Sequence, residues 1–241
     1  CNNEYELHKH KMQRRRCLYI YSRLMNLLEL HAGSRSIGKA AESLGINVFS
    51  VDWTKYDNID LVADIEHLTK EDIPFVPDVV WSSPDCTTYS IAAISHHRHE
   101  HTLLAKSDYA NKCDRLNSNM IALIQEYLEI NPNLKYFIEN PRGAYRKMPF
   151  INFSDRATVW YCRYGDSRAK PTDIFTNHLN TMFNAEGWKP RPICFNGNKH
   201  CHHEEAPRGS KTGTQGKKGS YERSKIPKEL CLEILKSCID A

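Results

Sequence analysis

The chain has 241 residues, of which 40% are hydrophobic and 26% are charged, and its formal net charge is +4. This balance, with only 11 glycines and 11 prolines, excludes collagen-like, low-complexity and wholly disordered proteins. No apolar run reaches the roughly 18–20 residues that a membrane-spanning helix needs. The N-terminal residues also lack the apolar stretch of a secretory signal, so we expect a cytoplasmic protein without membrane contacts.

The cysteines and the basic residues give two further indications. Nine cysteines, an odd number without paired spacing, are typical of reduced thiols rather than of a disulfide framework. Residues 8–16 contain five Lys or Arg and two His, and residues 199–225 contain seven Lys or Arg against three Glu. Such local positive charge favours a nucleic-acid partner, although a solvated basic surface would have the same composition.

The first half of the chain predicts strands alternating with helices. After a charged, weakly periodic extension over residues 1–24, a buried strand begins at Met25, and a helix with Ser36 as its N-cap follows. Further strands begin at Val48, Leu61 and Val79. This order is typical of a mostly parallel, doubly wound sheet.

The second half predicts a long helix, three more strands and a final helix. The helix covers 109–130, and its apolar stripe consists of Leu116, Met120, Ile124, Tyr127 and Leu128. Strands follow at 136–139, where Asn140-Pro141 ends the strand, and at 158–162 and 174–176, which we expect to pair antiparallel. A Gly-, Lys- and Ser-rich insert precedes a helix from Pro227 that turns Leu230, Leu235 and Cys238 inward. The predicted divisions are 1–24, 25–177, 178–222 and 223–241.

The first strand-to-helix turn is a candidate ligand site. Ligands of open parallel sheets bind at the carboxyl ends of the strands, where Gly33 would let the backbone turn tightly. Asp52 ends the second strand, and an acid there can accept hydrogen bonds from both hydroxyls of a ribose. Arg35 stands where a phosphate-binding Gly-x-Gly has its second glycine, which favours a nucleoside over NAD. A turn glycine and a strand-end acid without any ligand would have the same pattern.

A thiol and a carboxylate follow two neighbouring strands. Cys86 comes directly after the fourth strand, in a turn at the ligand-binding edge, where a nucleophile would be placed. Glu139 ends the fifth strand at the same edge. An acid that carries a proton beside a thiolate suits attack on an electron-poor ring that is protonated as it is attacked.

These motifs together resemble those of the DNA (cytosine-5)-methyltransferase family, in particular its short phage- and virus-type members. Residues 29–33 (Glu-Leu-His-Ala-Gly) resemble the family's cofactor motif Asp-Leu-Phe-Ala-Gly, and residues 83–90 resemble its Pro-Pro-Cys loop. Residues 139–141 resemble Glu-Asn-Val, 162–172 the basic motif that follows, and 223–227 the start of the C-terminal motif. Four or five motifs in the right order over about 200 residues are specific. The departures are Asp85 for the second proline, His31 for Phe and Arg35 for Gly.

The resemblance implies a fold, a cofactor and a reaction. The fold is the class I S-adenosylmethionine-dependent methyltransferase (Rossmann-like) fold, with a mostly parallel seven-stranded sheet and a small recognition insert. Cys86 would attack carbon 6 of a flipped-out cytosine while Glu139 acts at ring nitrogen 3, and carbon 5 would take the methyl group from S-adenosylmethionine. Arg168 and Lys170 would steady the flipped nucleotide. The expected cofactor-binding residues are Glu29, His31, Ala32, Gly33, Ser34, Asp52, Trp53, Asp64, Ile65 and Ser83.

DNA is the expected partner, and we expect a monomer in the cytoplasm of a bacterial or phage-infected host cell. The insert offers only about 45 residues for reading bases, which predicts a short target of about two to four base pairs. Its candidate DNA contacts are Arg208, Lys211 and Gln215. Two alternatives stay open: a noncatalytic DNA-binding relative, and a methyltransferase for cytosine in RNA or in a free nucleotide.

A zinc ion in the insert is a further alternative that the sequence does not favour. Cys194, Cys201 and His202 are the candidate ligands for a tetrahedral structural site. Their spacing is loose, and adjacent histidines rarely bind one metal together. We therefore predict no metal, and a polar loop that faces DNA instead.

Overall fold

The computed structural model describes residues 24–204 and 219–239. Seven strands form one sheet in the order β3-β2-β1-β4-β5-β7-β6, in which β7 alone runs in the direction opposite to the other six strands. The prediction of a mostly parallel seven-stranded sheet is confirmed. The strands are β1 Asn26–Leu30, β2 Asn47–Asp52, β3 Leu61–Val62, β4 Val79–Ser82, β5 Lys135–Pro141, β6 Asp155–Trp160 and β7 Pro171–Thr176.

Helices cover both faces of the sheet because successive side chains of a strand point to opposite faces. Leu28 and Leu30 of β1 pack in the cluster that includes the long helix, whereas Leu27 packs in the cluster on the other face. The helices are α1 Ser36–Glu42, α2 Ile94–His97, α3 Asp108–Ile130, α4 Ser220–Ser224 and α5 Lys228–Ile239. Within the described ranges, none of these helices is long and apolar enough to cross a membrane.

The two amphipathic helices pack as their sequence patterns predict. Met120, Ile124 and Tyr127 of α3 are buried, and the other two residues of the stripe, Leu116 and Leu128, pack against the same cluster partly buried. On the opposite face, α5 packs beside α1 and buries the three residues predicted to face inward, Leu230, Leu235 and Cys238. Burial of one such large apolar side chain stabilises the fold by about 1.5–3 kcal/mol.

Three local predictions were wrong. The N-cap of α1 is Arg35, with a left-handed φ of 53°, and Ser36 is already helical. The strand predicted to reach residue 162 ends at Trp160, and residues 161–164 form a 3₁₀ turn. Strand β5 continues through Asn140 and Pro141, because antiparallel β7 pairs with both residues.

The insert has little regular structure over its described part, residues 178–204. Two isolated bridges, Leu179 to Trp188 and Thr181 to Asn184, are its only strand-like pairings in that part. Trp188 is buried, whereas Met182 and Phe183 are almost fully exposed. The predicted DNA contacts Arg208, Lys211 and Gln215, and the extension before residue 24, lie outside the described residues.

Candidate active site

The predicted nucleophile lies in a tight turn after β4. Cys86 is half-buried and has φ −90° and ψ −4°, a sparsely populated region where many active-site residues lie. Burial raises the pKa of the Cys86 thiol to about 11; the positive charge of Lys170 lowers it, and the carboxylates of Asp85 and Glu139 raise it. The free protein therefore holds Cys86 as a thiol at neutral pH.

The predicted acid lies at the end of the neighbouring strand. Glu139 of β5 is only 5% exposed, and its Oε1 accepts a 2.8 Å hydrogen bond from the hydroxyl of Tyr161. The next residue, Asn140, donates from Nδ2 to the carbonyl of Pro84 at 3.0 Å. Because β4 and β5 are adjacent and parallel, their carboxyl ends bring the loop of Cys86 and the Glu139 carboxylate to one edge of the sheet.

The two basic residues predicted to hold the nucleotide differ in their contacts. Lys170 Nζ lies 3.7 Å from Glu139 Oε1 and 4.6 Å from the centre of the Tyr161 ring, so it belongs to the same group of side chains. Arg168 is 1% exposed, and its guanidinium binds the Asp166 carboxylate and the carbonyls of residues 223 and 225. These contacts fasten the C-terminal segment, and they leave Arg168 without an open surface toward a substrate.

A cleft beside this edge contains part of the predicted cofactor site. Four of the ten predicted residues line it: His31, Trp53, Asp64 and Ile65. The remaining lining comes from the nucleophile loop and from α3, through Pro84, Asp85, Tyr109, Lys112, Cys113, Leu116 and Asn117. The cleft therefore lies between the carboxyl end of β1 and the loop that carries Cys86.

Asp52 ends β2 beside the turn that contains Gly33. Its two carboxylate oxygens accept backbone hydrogen bonds from Gly33 at 2.9 Å and from Thr54 at 2.8 Å. Burial raises the pKa of Asp52, and these hydrogen bonds oppose the rise. Gly33 has a left-handed φ of 49°, which explains why a glycine occupies this turn. Each Asp52 oxygen keeps a second lone pair for a ligand hydroxyl.

Arg35, which departs from the family pattern, folds inward. Its Nε donates to Ser50 Oγ at 2.9 Å and lies 3.8 Å from Glu29 Oε2. Glu29 is 1% exposed and accepts from the Gly38 amide at 3.1 Å, and a Cβ at residue 38 would overlap its carboxylate. Burial raises the pKa of Glu29 to about 7. The Glu29 side chain thus packs against the start of α1 and does not face the cleft.

The other predicted cofactor residues also have contacts within the protein. The Ser34 hydroxyl lies 2.9 Å from that of Ser36, and Ser83 Oγ accepts from the Trp81 indole at 2.9 Å. Ala32 is buried at 8% exposure. His31 Nδ1 lies 2.9 Å from Ser82 Oγ, and burial lowers the pKa of His31 to about 4, so its imidazole is neutral at pH 7.

Several polar contacts of the site were not predicted from the sequence. Tyr161 is held as a hydrogen-bond donor to Glu139, since burial and then the Glu139 charge raise its pKa. Tyr109 donates to Asp85 at 2.6 Å, which gives this substituted residue a partner in α3. Lys112 Nζ lies 2.8 Å from Asp64 across the cleft. Tyr109 and Lys112 precede Leu116 of the predicted stripe by seven and four residues, so they lie on the same face of α3, and this spacing is the sequence signal for their contacts.

Arg98 restrains the segment after Cys86. Arg98 is 1% exposed; its guanidinium donates to both Asp114 carboxylate oxygens, at 2.7 and 3.0 Å, and lies 4.2 Å above the Tyr89 ring. It also donates to the Thr88 carbonyl at 2.9 Å. The buried guanidinium of Arg98 therefore ties the segment after Cys86 to Asp114 of α3.

The zinc candidates of the insert are arranged differently from the prediction. Cys194 and Cys201 do lie together, but the imidazole beside them is that of His203, and His202 is exposed. The fourth member is Cys162, which lies in the turn after β6. Its separation of more than thirty residues from Cys194 explains why the spacing did not reveal it.

Comparison with known proteins agrees with the fold and the motifs. No protein-family model matches the chain. The chain is 27% identical over 233 residues to the "Probable DNA (cytosine-5)-methyltransferase" of Frog virus 3 (isolate Goorha), across 89% of this chain and all of the relative. Among solved structures, the Entamoeba histolytica methyltransferase EhMeth matches with a TM-score of 0.53 at 12% identity, across 91% of this chain and 99% of its own.

A second solved structure, the S. pombe Dnmt2 methyltransferase, matches with a TM-score of 0.45 at 12% identity, across 71% of this chain and 58% of its own. The resemblance predicted from the motifs is confirmed by the viral relative, and the predicted fold by the Entamoeba structure and the sheet order. The chain has the class I methyltransferase fold, and its sequence resembles that of the DNA (cytosine-5)-methyltransferase family.

Proposed function

We propose that the chain transfers a methyl group from S-adenosylmethionine to carbon 5 of a cytosine in DNA, through a covalent bond to Cys86. The observation that carries the proposal is the placement of Cys86 and Glu139 at the ends of adjacent strands, joined by the Asn140 to Pro84 hydrogen bond. A thiol beside a carboxyl group is the pair that attack on a pyrimidine ring needs.

The cleft fits the cofactor in its chemistry. The exposed ring of Trp53 lines the cleft and offers apolar surface for a purine. The Asp52 carboxylate, one residue earlier at the end of β2, has lone pairs for ribose hydroxyls. His31 is neutral, so it places no positive charge beside a sulfonium. When bound, S-adenosylmethionine supplies an electrophilic methyl group.

The protein's own groups account for the remaining steps. The Cys86 thiol loses its proton to water as its sulfur forms a bond to carbon 6. The electron pair of the 5,6 double bond moves toward carbon 5 while Glu139, in its protonated form, supplies a proton at ring nitrogen 3. Lys170, 3.7 Å from Glu139, stabilises the carboxylate that this transfer leaves. After carbon 5 takes the methyl group, water removes the carbon-5 proton, the 5,6 double bond re-forms and the Cys86 thiolate leaves. Ring nitrogen 3 then returns its proton to Glu139.

DNA is the proposed substrate for two reasons. The viral relative is named for DNA, and residues 199–225 carry a basic excess suited to phosphates. A stacked cytosine is closed to a thiol on both faces, so the base must leave the helix before attack. Arg208, Lys211 and Gln215 remain our candidates for contacts with the duplex, and the small insert favours a target of about two to four base pairs.

Incubation with labelled S-adenosylmethionine and duplex DNA, RNA or dCMP in parallel, followed by nucleoside analysis, tests the proposal. We expect 5-methylcytosine in the DNA reaction only. Label in RNA or in dCMP would assign the same chemistry to another substrate. DNA binding without any methylated product would make the chain a noncatalytic relative.

A further inference from the structure

We propose that Cys162, Cys194, Cys201 and His203 bind one structural Zn²⁺ ion that fastens the insert to the catalytic domain. The four side chains come from two separate parts of the chain. Cys162 belongs to the 3₁₀ turn after β6, and the other three residues belong to the insert. One sulfur from each cysteine and one ring nitrogen of His203 all lie within 4.8 Å of one another.

The geometry of the cluster fits a tetrahedral zinc site. Zinc bonds of about 2.3 Å to sulfur and 2.0–2.1 Å to nitrogen place the ligand atoms of a tetrahedron about 3.5–3.8 Å apart. The separation of Cys194 Sγ and His203 Nδ1 is 3.8 Å. Only a small inward shift of the remaining ligands would therefore be needed to bind the ion.

The chemistry of the ligand set selects zinc. Three thiols and one imidazole form one of the common donor sets of closed structural zinc sites, and hard cations such as Mg²⁺ or Ca²⁺ prefer oxygen. One disulfide would use two of the three thiols and leave the third thiol and His203 unexplained. The described cysteines, these three among them, are free thiols in the structure.

Neighbouring groups already support the ligands. Asn198 Nδ2 donates to Cys194 Sγ at 3.4 Å, the kind of contact that stabilises a metal-bound thiolate. The Cys201 amide donates to the Asn198 carbonyl at 3.1 Å, which fixes the loop between the two thiols. Cys162, Cys194 and His203 are 2%, 3% and 8% exposed, so the ion would be shielded from solvent.

The surrounding fold explains why a metal is needed. Residues 189–204 form no helix or strand, and Ile193 and Phe195 on either side of Cys194 are mostly exposed. A segment that buries so little apolar surface gains its stability from a crosslink such as a metal site.

The site also lies beside the basic loop of the active site. The amide of Glu204, next to His203, donates to the Ser167 carbonyl at 2.9 Å, and Ser167 precedes Arg168 in the loop that leads to Lys170. The ion would thus fix where the insert leaves the catalytic domain and steady this loop.

Metal analysis of the full chain, purified in zinc-containing buffer without chelator, tests the proposal. We expect one equivalent of zinc per chain by mass spectrometry of the metal content. Replacement by Co²⁺ should give the intense visible bands of tetrahedral cobalt with thiolate ligands. A chain without zinc, or one that holds iron instead, would overturn the assignment.

Variants identify the ligands and separate metal loss from misfolding. Cys162→Ser, Cys201→Ser and His203→Ala should each lose most of the zinc, whereas His202→Ala, at the exposed neighbour, and Cys238→Ala, a buried thiol elsewhere, should keep it.

Cys201→His retains a ligand and should keep zinc while changing the cobalt spectrum. If Cys201→His and Cys201→Ser lose zinc equally, or if His202→Ala loses as much as His203→Ala, the ligand set is wrong. These readouts do not depend on methyl transfer.

Discussion

The side-chain amide of Asn140 donates a 3.0 Å hydrogen bond to the carbonyl of Pro84, across 56 residues of sequence. This bond joins the strand that ends in Glu139 to the loop that carries Cys86. Since Asn140 is 1% exposed, water cannot easily replace the bond. This buried amide therefore helps to set the separation of the thiol and the carboxylate, together with the contacts of Tyr109 with Asp85 and of Arg98 with Thr88.

The first prediction concerns this amide. Asn140→Asp should lower kcat about 100-fold, because a carboxylate facing the Pro84 carbonyl repels it and displaces Cys86 by a fraction of an ångström or more. Binding of S-adenosylmethionine should be unchanged. The matched control is Asn177→Asp, which removes a 2.8 Å bond to the Leu134 carbonyl at the other end of β5. That variant should lose stability but keep kcat, and equal kcat losses in both would contradict the positioning role.

The second prediction concerns the nucleophile. Cys86→Ala should show no methyl transfer above background and no covalent adduct with DNA that carries 5-fluorocytosine, because fluorine at carbon 5 blocks only the final elimination. Its thermal midpoint should stay near that of the wild type, since Cys86 lies in a half-buried turn. Thr87→Ala, at the exposed next residue, serves as the control and should form the adduct. Turnover by the alanine variant would exclude the covalent route.

The sheet and the proximity of Cys86 and Glu139 at one edge of it could be predicted because they depend on local patterns. The alternation of strands and helices and the strand-end positions of Cys86 and Glu139 are visible in short windows of sequence. The inward fold of Arg35 could not be predicted, because it depends on Ser50 and Glu29 from two other strand positions.

The same reason applies to the ligand set of the insert and to the contacts of Arg168. Cys162 and Cys194 are far apart in sequence and lie together only in the folded chain, and Arg168 binds carbonyls more than fifty residues later in the sequence. Choosing His203 over His202 required knowing which of two adjacent side chains points inward. Ligand spacing in the sequence identifies metal sites whose ligands are close along the chain. It does not identify a site assembled from turns that are distant in sequence.

The third prediction tests the ribose contact. Asp52→Asn should weaken S-adenosylmethionine by roughly 1.5–3 kcal/mol, because a charged hydrogen-bond acceptor is lost. Isothermal titration calorimetry on the purified variant measures this directly. Asp60→Asn is the control, since Asp60 also accepts a backbone bond, from Ser50 at 2.8 Å. Neither neighbour of Asp60 lines the cleft, whereas Asp52 directly precedes Trp53, which does. An unchanged affinity for Asp52→Asn would place the ribose elsewhere.

The fourth prediction concerns stability in acid. The folded-state pKa of His31 is about 4, below the 6.5 of an unperturbed histidine, so the unfolded state takes up the proton first as the pH falls. The free energy of unfolding should therefore decrease from about pH 6.5 toward pH 4, by about 2–3 kcal/mol from this group. His31→Phe should remove that dependence.

Urea denaturation of both proteins between pH 4 and pH 8 measures the difference. The contribution of Glu29 to the free energy of unfolding changes with pH in the opposite direction. Because its folded-state pKa is raised from 4.5 to about 7, Glu29 stabilises the fold fully below pH 4.5, and this stabilisation is lost as the pH rises to about 7. It is present in both proteins, so the difference curve isolates His31. Strain from phenylalanine at the positive φ of residue 31 would appear as an offset independent of pH. Parallel curves would show that His31 titrates normally.

The last prediction concerns Lys170, whose charge lowers the pKa of Cys86 while burial raises it. Lys170→Met should raise that pKa further, so the thiolate fraction at a given pH falls and adduct formation with 5-fluorocytosine DNA slows by about 3- to 10-fold at pH 8. The pH profile of the adduct rate should shift to higher pH.

Lys170→Arg keeps the charge beside Glu139 and should recover most of the rate. Lys189→Met, at an exposed lysine of the insert, controls for loss of overall charge toward DNA. A uniform slowing at every pH, without a shift of the profile, would mean that Lys170 acts on the fold or on DNA binding and not on the thiol.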